Sequence, residues 1–135
     1  MKKISFLLGA TILLMAVLSG CATGNTTTET SVGAVAEGKT VLITLKENPS
    51  TGYTWSYVIG NPEILAFSND IYAPEDTAGK TTGSGGTHTY TFLGIAPGTT
   101  TITMTEKRDW EGGETAQTQT FTVTVSTDGQ IESIN

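Results

Sequence analysis

An antiparallel β-sandwich is the fold class this sequence predicts, on three observations. After Gly38 nearly every segment alternates apolar and polar side chains with the two-residue period of a strand, and none carries a convincing helical period. Threonine supplies much of the polar half, and its β-branched side chain suits the wet face of a pleated sheet. The segments are short and divided by Gly- and Pro-bearing turns, which sets six or seven strands in the span 38–126.

Val41 to Leu45 opens the series, with Val41, Ile43 and Leu45 on one face. Asn48-Pro49-Ser50-Thr51-Gly52 then reads as a tight turn, and Tyr53, Trp55, Tyr57 and Ile59 alternate with Thr54, Ser56 and Val58 until Gly60-Asn61-Pro62 ends the strand. Ile64 to Tyr72 holds a weaker strand pattern. Ala73 to Gly86 contains Pro74, Gly79, Gly83, Gly85 and Gly86 and no apolar residue larger than alanine, so it reads as a long loop, a kind that is usually functional or disordered. Thr87 to Leu93 resumes alternation through His88, Tyr90 and Phe92. A turn at Ala96-Pro97-Gly98-Thr99 precedes Thr100 to Thr105, where Ile102 and Met104 face inward. A second polar loop, Glu106 to Thr115, is interrupted by Trp110, and Gln119 to Val125 is the last clear strand. In a sandwich the connections cluster at two ends, so loops one, three and five can share one of them.

The N-terminus is of another kind. Met1-Lys2-Lys3 is a basic head, Ile4 to Val17 is almost wholly apolar, and Leu18-Ser19-Gly20-Cys21 follows, the order of a secretory leader. Cysteine after Leu-Ser-Gly resembles the lipobox of bacterial lipoproteins. That resemblance implies removal of residues 1–20 and acylation of Cys21, with the chain anchored to the bacterial envelope at the outer membrane or the outer face of the cell membrane. Ala22 is not the aspartate that often retains lipoproteins at the inner membrane. Residues 21–37, poor in large apolar side chains, read as the lipidated cysteine and a flexible tether, and 127–135 as a C-terminal tail.

The formal charge is −6, and becomes −8 once Lys2 and Lys3 leave with the leader. An acidic domain without a basic stripe is not built for nucleic acid. Cys21 is the sole cysteine, which excludes a disulfide and leaves none for catalysis or metal binding. His88 is the sole histidine and lies on an alternating strand; Ser84 lacks a nucleophile-elbow context; no zinc or calcium ligand spacing occurs. We expect no catalytic residue, no metal and no cofactor, and a monomer.

Three motifs in chain order carry a more specific resemblance: Asn48-Pro49-Ser50-Thr51-Gly52-Tyr53, Gly83-Ser84-Gly85-Gly86, and Arg108-Asp109-Trp110. With them the domain resembles the chagasin family of papain-like cysteine protease inhibitors, whose third motif usually has proline where Asp109 stands. The resemblance implies an immunoglobulin-like sandwich that presents the three loops at one end and plugs a protease cleft reversibly and tightly. In that picture the first loop is the wedge, with Ser50 and Thr51 at its tip, Pro49 and Gly52 setting the backbone and Tyr53 and Trp55 rooting it in the core. The glycine-rich loop lies beside the cleft, main chain to main chain, and Trp110 stacks on the enzyme's other flank with Arg108 adding a charged contact. The competing expectation is a non-inhibitory immunoglobulin-like surface lipoprotein that binds an envelope or host protein.

Overall fold

The computed structural model describes residues 33–76, 78, 83–110 and 112–135. Among these, eight strands run in chain order: β1 (Gly33–Glu37), β2 (Thr40–Glu47), β3 (Tyr53–Ile59), β4 (Leu65–Pro74), β5 (Gly86–Gly94), β6 (Gly98–Arg108), β7 (Thr115–Val125) and β8 (Ile131–Ile134). They form two four-stranded antiparallel sheets, β1-β2-β5-β4 and β3-β6-β7-β8, an immunoglobulin-like sandwich as expected.

Alternation places the core. Val41, Ile43 and Leu45 of β2 and Tyr90 and Phe92 of β5 meet Trp55 of β3, Ile102 and Met104 of β6, and Val123 and Val125 of β7; Leu65 of β4 completes the set. Tyr57 stacks on Phe67 at 4.8 Å and turns its edge to Phe92 at 5.3 Å, bridging the sheets with aromatic contacts. On the outer face of the second sheet, the pairs Thr99–Thr124, Thr101–Thr122, Thr103–Thr120 and Thr105–Thr118 stand opposite one another. This accounts for the threonine half of the pattern.

Several boundaries move. Gly33–Glu37, read as part of the tether, is a strand paired with β2, and Ile131–Ile134, read as part of a tail, is a strand paired with β7. The Ile131 amide donates to the Gly38 carbonyl at 2.8 Å, and Ala34, Ile131 and Ile134 pack on the core. Both strands are too short for a two-residue period to show. The weak pattern of β4 has a local cause: a bulge between Phe67 and Asn69 swaps the inward parity in mid-strand. Strands also invade both polar loops, since β4 reaches Pro74, β5 begins at Gly86, β6 reaches Arg108 and β7 starts at Thr115. The leader, Cys21 and the lipobox lie outside the described residues.

Candidate functional site

The chain crosses from one sheet to the other between β2 and β3, and it does so through the first motif. Pro49–Thr51 forms one turn of 3-10 helix. Asn48 caps it: its Oδ1 accepts the Ser50 amide at 3.1 Å, and its carbonyl accepts the Thr51 amide at 3.0 Å and the Thr51 hydroxyl at 2.7 Å. Gly52 closes the turn in the left-handed region at φ 79°, its amide donating to the Pro49 carbonyl at 3.0 Å. Proline at the start and glycine at the end each sit where their backbone preference is required. Pro49, Ser50 and Thr51 are exposed, while the Thr51 hydroxyl is engaged in shaping the loop itself.

The second motif leans on the first. Asn48 Nδ2 donates to the Gly83 carbonyl at 2.9 Å, so one side chain caps loop one and ties down loop two. A Cβ on Gly85 would stand 3.0 Å from the Glu47 carbonyl, and one on Gly86 would stand 2.3 Å from the Ala73 carbonyl. These glycines therefore admit their own neighbours, a role that composition alone did not indicate. Across the base, the Glu75 amide donates to the Gly85 carbonyl at 3.0 Å.

The third motif reaches loop one from the opposite side. Trp110 is 55% exposed, yet a Cβ on Gly52 would fall 2.7 Å from its Cζ3. The indole therefore lies against loop one on one side and faces solvent on the other. The Arg108 guanidinium is stacked between the Tyr53 ring at 4.7 Å and the Trp110 ring at 5.0 Å. That stack links loop three to Tyr53 at the start of β3. The Arg108 amide donates to the Glu114 carbonyl at 3.1 Å and the Gly113 amide to the Trp110 carbonyl at 2.8 Å, closing the hairpin. Asn48, Gly52, Gly83, Gly85, Arg108 and Trp110 thus meet at one end of the sandwich, loop one in the middle.

Beneath loop one lies a polar cluster that the sequence reading did not connect to it. Glu47 is buried; its Oε1 accepts the Trp55 amide at 2.9 Å, and its Oε2 meets His88 Nδ1 at 2.5 Å. His88 Nε2 meets Asp70 Oδ2 at 2.6 Å, and the Tyr90 hydroxyl donates to the Trp55 carbonyl at 3.1 Å. Burial first, then the negative charges of Glu47 and Asp70, pushes ionisation of the Tyr90 hydroxyl well above its usual value. One signal was available: Glu47 continues the inward parity of Val41, Ile43 and Leu45, which puts a carboxylate at a core position. A cavity of about 350 Å³, lined in part by Glu47, Asn48, Gly85 and Gly86, opens beside the cluster.

The model of the chagasin family of peptidase inhibitors matches residues 34–125. Chagasin from Trypanosoma cruzi is 32% identical over 83 residues, 58% of this chain and 73% of its own. The crystal structure of a cysteine protease inhibitor from Entamoeba histolytica superposes with a TM-score of 0.57 at 27% identity, covering 64% of this chain and 78% of that one. The solution structure of amebosin gives 0.47 at 30% identity, covering 65% and 79%. Since the family match takes in every strand from β2 to β7 and all three loops, the chain belongs to the chagasin family of peptidase inhibitors.

Proposed function

We propose that the chain is a reversible, tight-binding inhibitor of papain-like cysteine proteases and blocks the active-site cleft with loops 48–53, 83–86 and 108–110. The observation that carries this reading is the double tether of loop one, by Asn48 to Gly83 and by Gly52 to Trp110. Three segments far apart in sequence make one braced surface with a narrow centre, and a braced surface loses little entropy on docking.

The same geometry supports, as part of this reading, a resistance to cleavage. A protease cuts extended backbone whose carbonyl enters an oxyanion hole. In loop one the Asn48 and Pro49 carbonyls are folded into the 3-10 turn as acceptors for Thr51 and Gly52. The wedge thus fills the cleft without offering a scissile bond. Loop two contributes main-chain contact, and Trp110 contributes an aromatic anchor on the other flank. Such a contact would bury about 800 Å² on each partner.

Titration of active-site-counted papain with the chain from Ala22 onward tests the proposal. Turnover should fall to zero at a fixed stoichiometry, with the inhibitor recovered intact. Steady proteolysis of the inhibitor, or unaltered turnover, rejects it in favour of a surface module that binds some other protein. We further propose that the chain is exported and anchored through acylated Cys21. Cys21→Ser should abolish incorporation of labelled palmitate and release the protein from membranes.

A further inference from the structure

We infer that His88 and Glu47 are positioning residues for loop one: a carboxylate–imidazole pair beneath the wedge that holds its two stems together across the sheets. The functional half of this inference rests on the inhibitory reading above; the structural half does not.

β3 is an outer strand of its sheet, so one of its edges is unpaired by β6 and must find hydrogen bonds elsewhere. At Trp55 both backbone groups are taken by the opposite sheet. The amide goes to Glu47 Oε1 and the carbonyl to the Tyr90 hydroxyl. The Trp55 indole Nε1 also donates back to the Lys46 carbonyl at 2.9 Å. Lys46 and Glu47 lead into loop one, and Trp55 stands three residues after Gly52. Two hydrogen bonds therefore join the stems directly and a third ties the β3 stem to β5, and Glu47 is the one among these groups that bonds through a carboxylate.

A buried carboxylate stays in place only if it is paired. The Glu47 side chain is 4% exposed, and its side-chain partner is His88. His88 is held in turn by Asp70 on β4, by Tyr90 stacked on its ring at 4.2 Å, and by the edge of Tyr72. Both ring nitrogens face carboxylate oxygens; an imidazolium donates to both, a neutral imidazole to one. Without the imidazole, the Glu47 carboxylate can rotate into the cavity it already lines and hydrate there, releasing the Trp55 amide. The core beyond the cluster, from Leu45 on β2 and from Phe92 on β5, is apolar and would not follow.

The test compares wild type, His88→Leu and the double variant Glu47→Gln/His88→Leu. Amide hydrogen exchange by NMR reads the structure, and papain inhibition reads the function. We expect His88→Leu to speed exchange at Trp55, Thr51 and Gly52 by about tenfold or more through local opening, with the Ile43 and Ile102 amides unchanged. Inhibition should weaken by about tenfold, mostly through faster dissociation. Adding Glu47→Gln should restore both, because a neutral amide oxygen still accepts the Trp55 amide without a buried charge to hydrate. If His88→Leu does not fold, His88→Asn, which keeps one amide near Glu47, must show the same ranking in milder form. Uniform acceleration across all strands, unaltered exchange at Trp55, or no rescue by Glu47→Gln overturns the inference. Should wild type leave papain untouched while the exchange pattern and rescue appear, the inhibitory reading fails and the clamp stands.

Discussion

The Trp110 indole occupies the space that a side chain on Gly52 would need: a Cβ there would lie 2.7 Å from Cζ3 and 3.1 Å from Cη2. Loops one and three therefore share a contact that only glycine permits, and Gly52 also holds a positive φ. Gly52→Ala should bring both a left-handed strain of about 1–2 kcal/mol and a displaced indole. The expected result is weaker inhibition together with a red shift of tryptophan emission as Trp110 leaves its seat. Unchanged emission with unchanged inhibition would show that the loops are not coupled.

Trp110 contributes little to folding, with 55% of its surface in water. Trp110→Ala should leave the melting temperature close to that of wild type. Inhibition should fall by about 2 kcal/mol or more, some thirtyfold, as for an aromatic anchor at the flank of an interface. Arg108→Lys should lie between the two, because it keeps the charge but loses the planar face stacked on Tyr53 and Trp110. Inhibition constants set beside thermal melts separate these effects.

Asn48 has two jobs that one atom's change can divide. Asn48→Asp keeps an acceptor for the Ser50 amide but sets a carboxylate oxygen against the Gly83 carbonyl; Asn48→Ala loses both bonds. The alanine variant should lose about 1 kcal/mol of stability as a removed cap. The aspartate variant should keep most of that stability yet release loop two, seen as faster hydrogen exchange of the Glu75 amide bonded to Gly85. Equal exchange in wild type and Asn48→Asp would mean that loop two is held by other contacts.

Tyr90 gives the fold an alkaline limit. Its hydroxyl ionises above the usual tyrosine range because it is buried and faces Glu47 and Asp70. An unfolded tyrosine ionises near pH 10, to an approximation. Below that pH both states hold the proton and the contribution is complete. Above it the unfolded chain loses a proton that the folded chain keeps, so stability falls by up to about 1.4 kcal/mol per pH unit from this group. Tyr90→Phe lacks this loss. Urea unfolding from pH 9 to 11 should show the gap between wild type and Tyr90→Phe narrowing as pH rises; parallel curves would refute the assignment.

How much of this was legible in the sequence depends on range. The turn of loop one is local chemistry, so Asn48, Pro49 and Gly52 announce their roles within five residues, and the buried parity of Tyr90, Phe92, Ile102 and Val123 follows from alternation. The convergence of the loops is non-local: Asn48 and Gly83 stand 35 residues apart, and their bond exists only because β2 pairs with β5. The motifs announced the three loops only through resemblance to a family. The clamp stayed hidden because alternation treats a charged residue such as Glu47 as the end of an apolar face, whereas here its partner His88 arrives from another strand. β8 stayed hidden because Ile131 and Ile134 are spaced by three, not two, and show no strand period.

Trp55 separates the wedge from its foundation. Its side chain is 6% exposed within the core, and its Nε1–H is bonded to the Lys46 carbonyl. Trp55→Ala opens a large cavity and should lower stability by about 3–5 kcal/mol. Trp55→Phe keeps most of the ring but leaves that carbonyl unpaired, a loss of about 1–3 kcal/mol. The phenylalanine variant should fold, and because the loop's stem has lost one of its three cross-sheet bonds, its inhibition should weaken while Trp110 stays seated. Thermal melts rank the stabilities, and with position 55 silent in fluorescence the emission reports Trp110 alone. Full inhibitory strength in a folded Trp55→Phe would show that the stem bond to Lys46 does not shape the wedge.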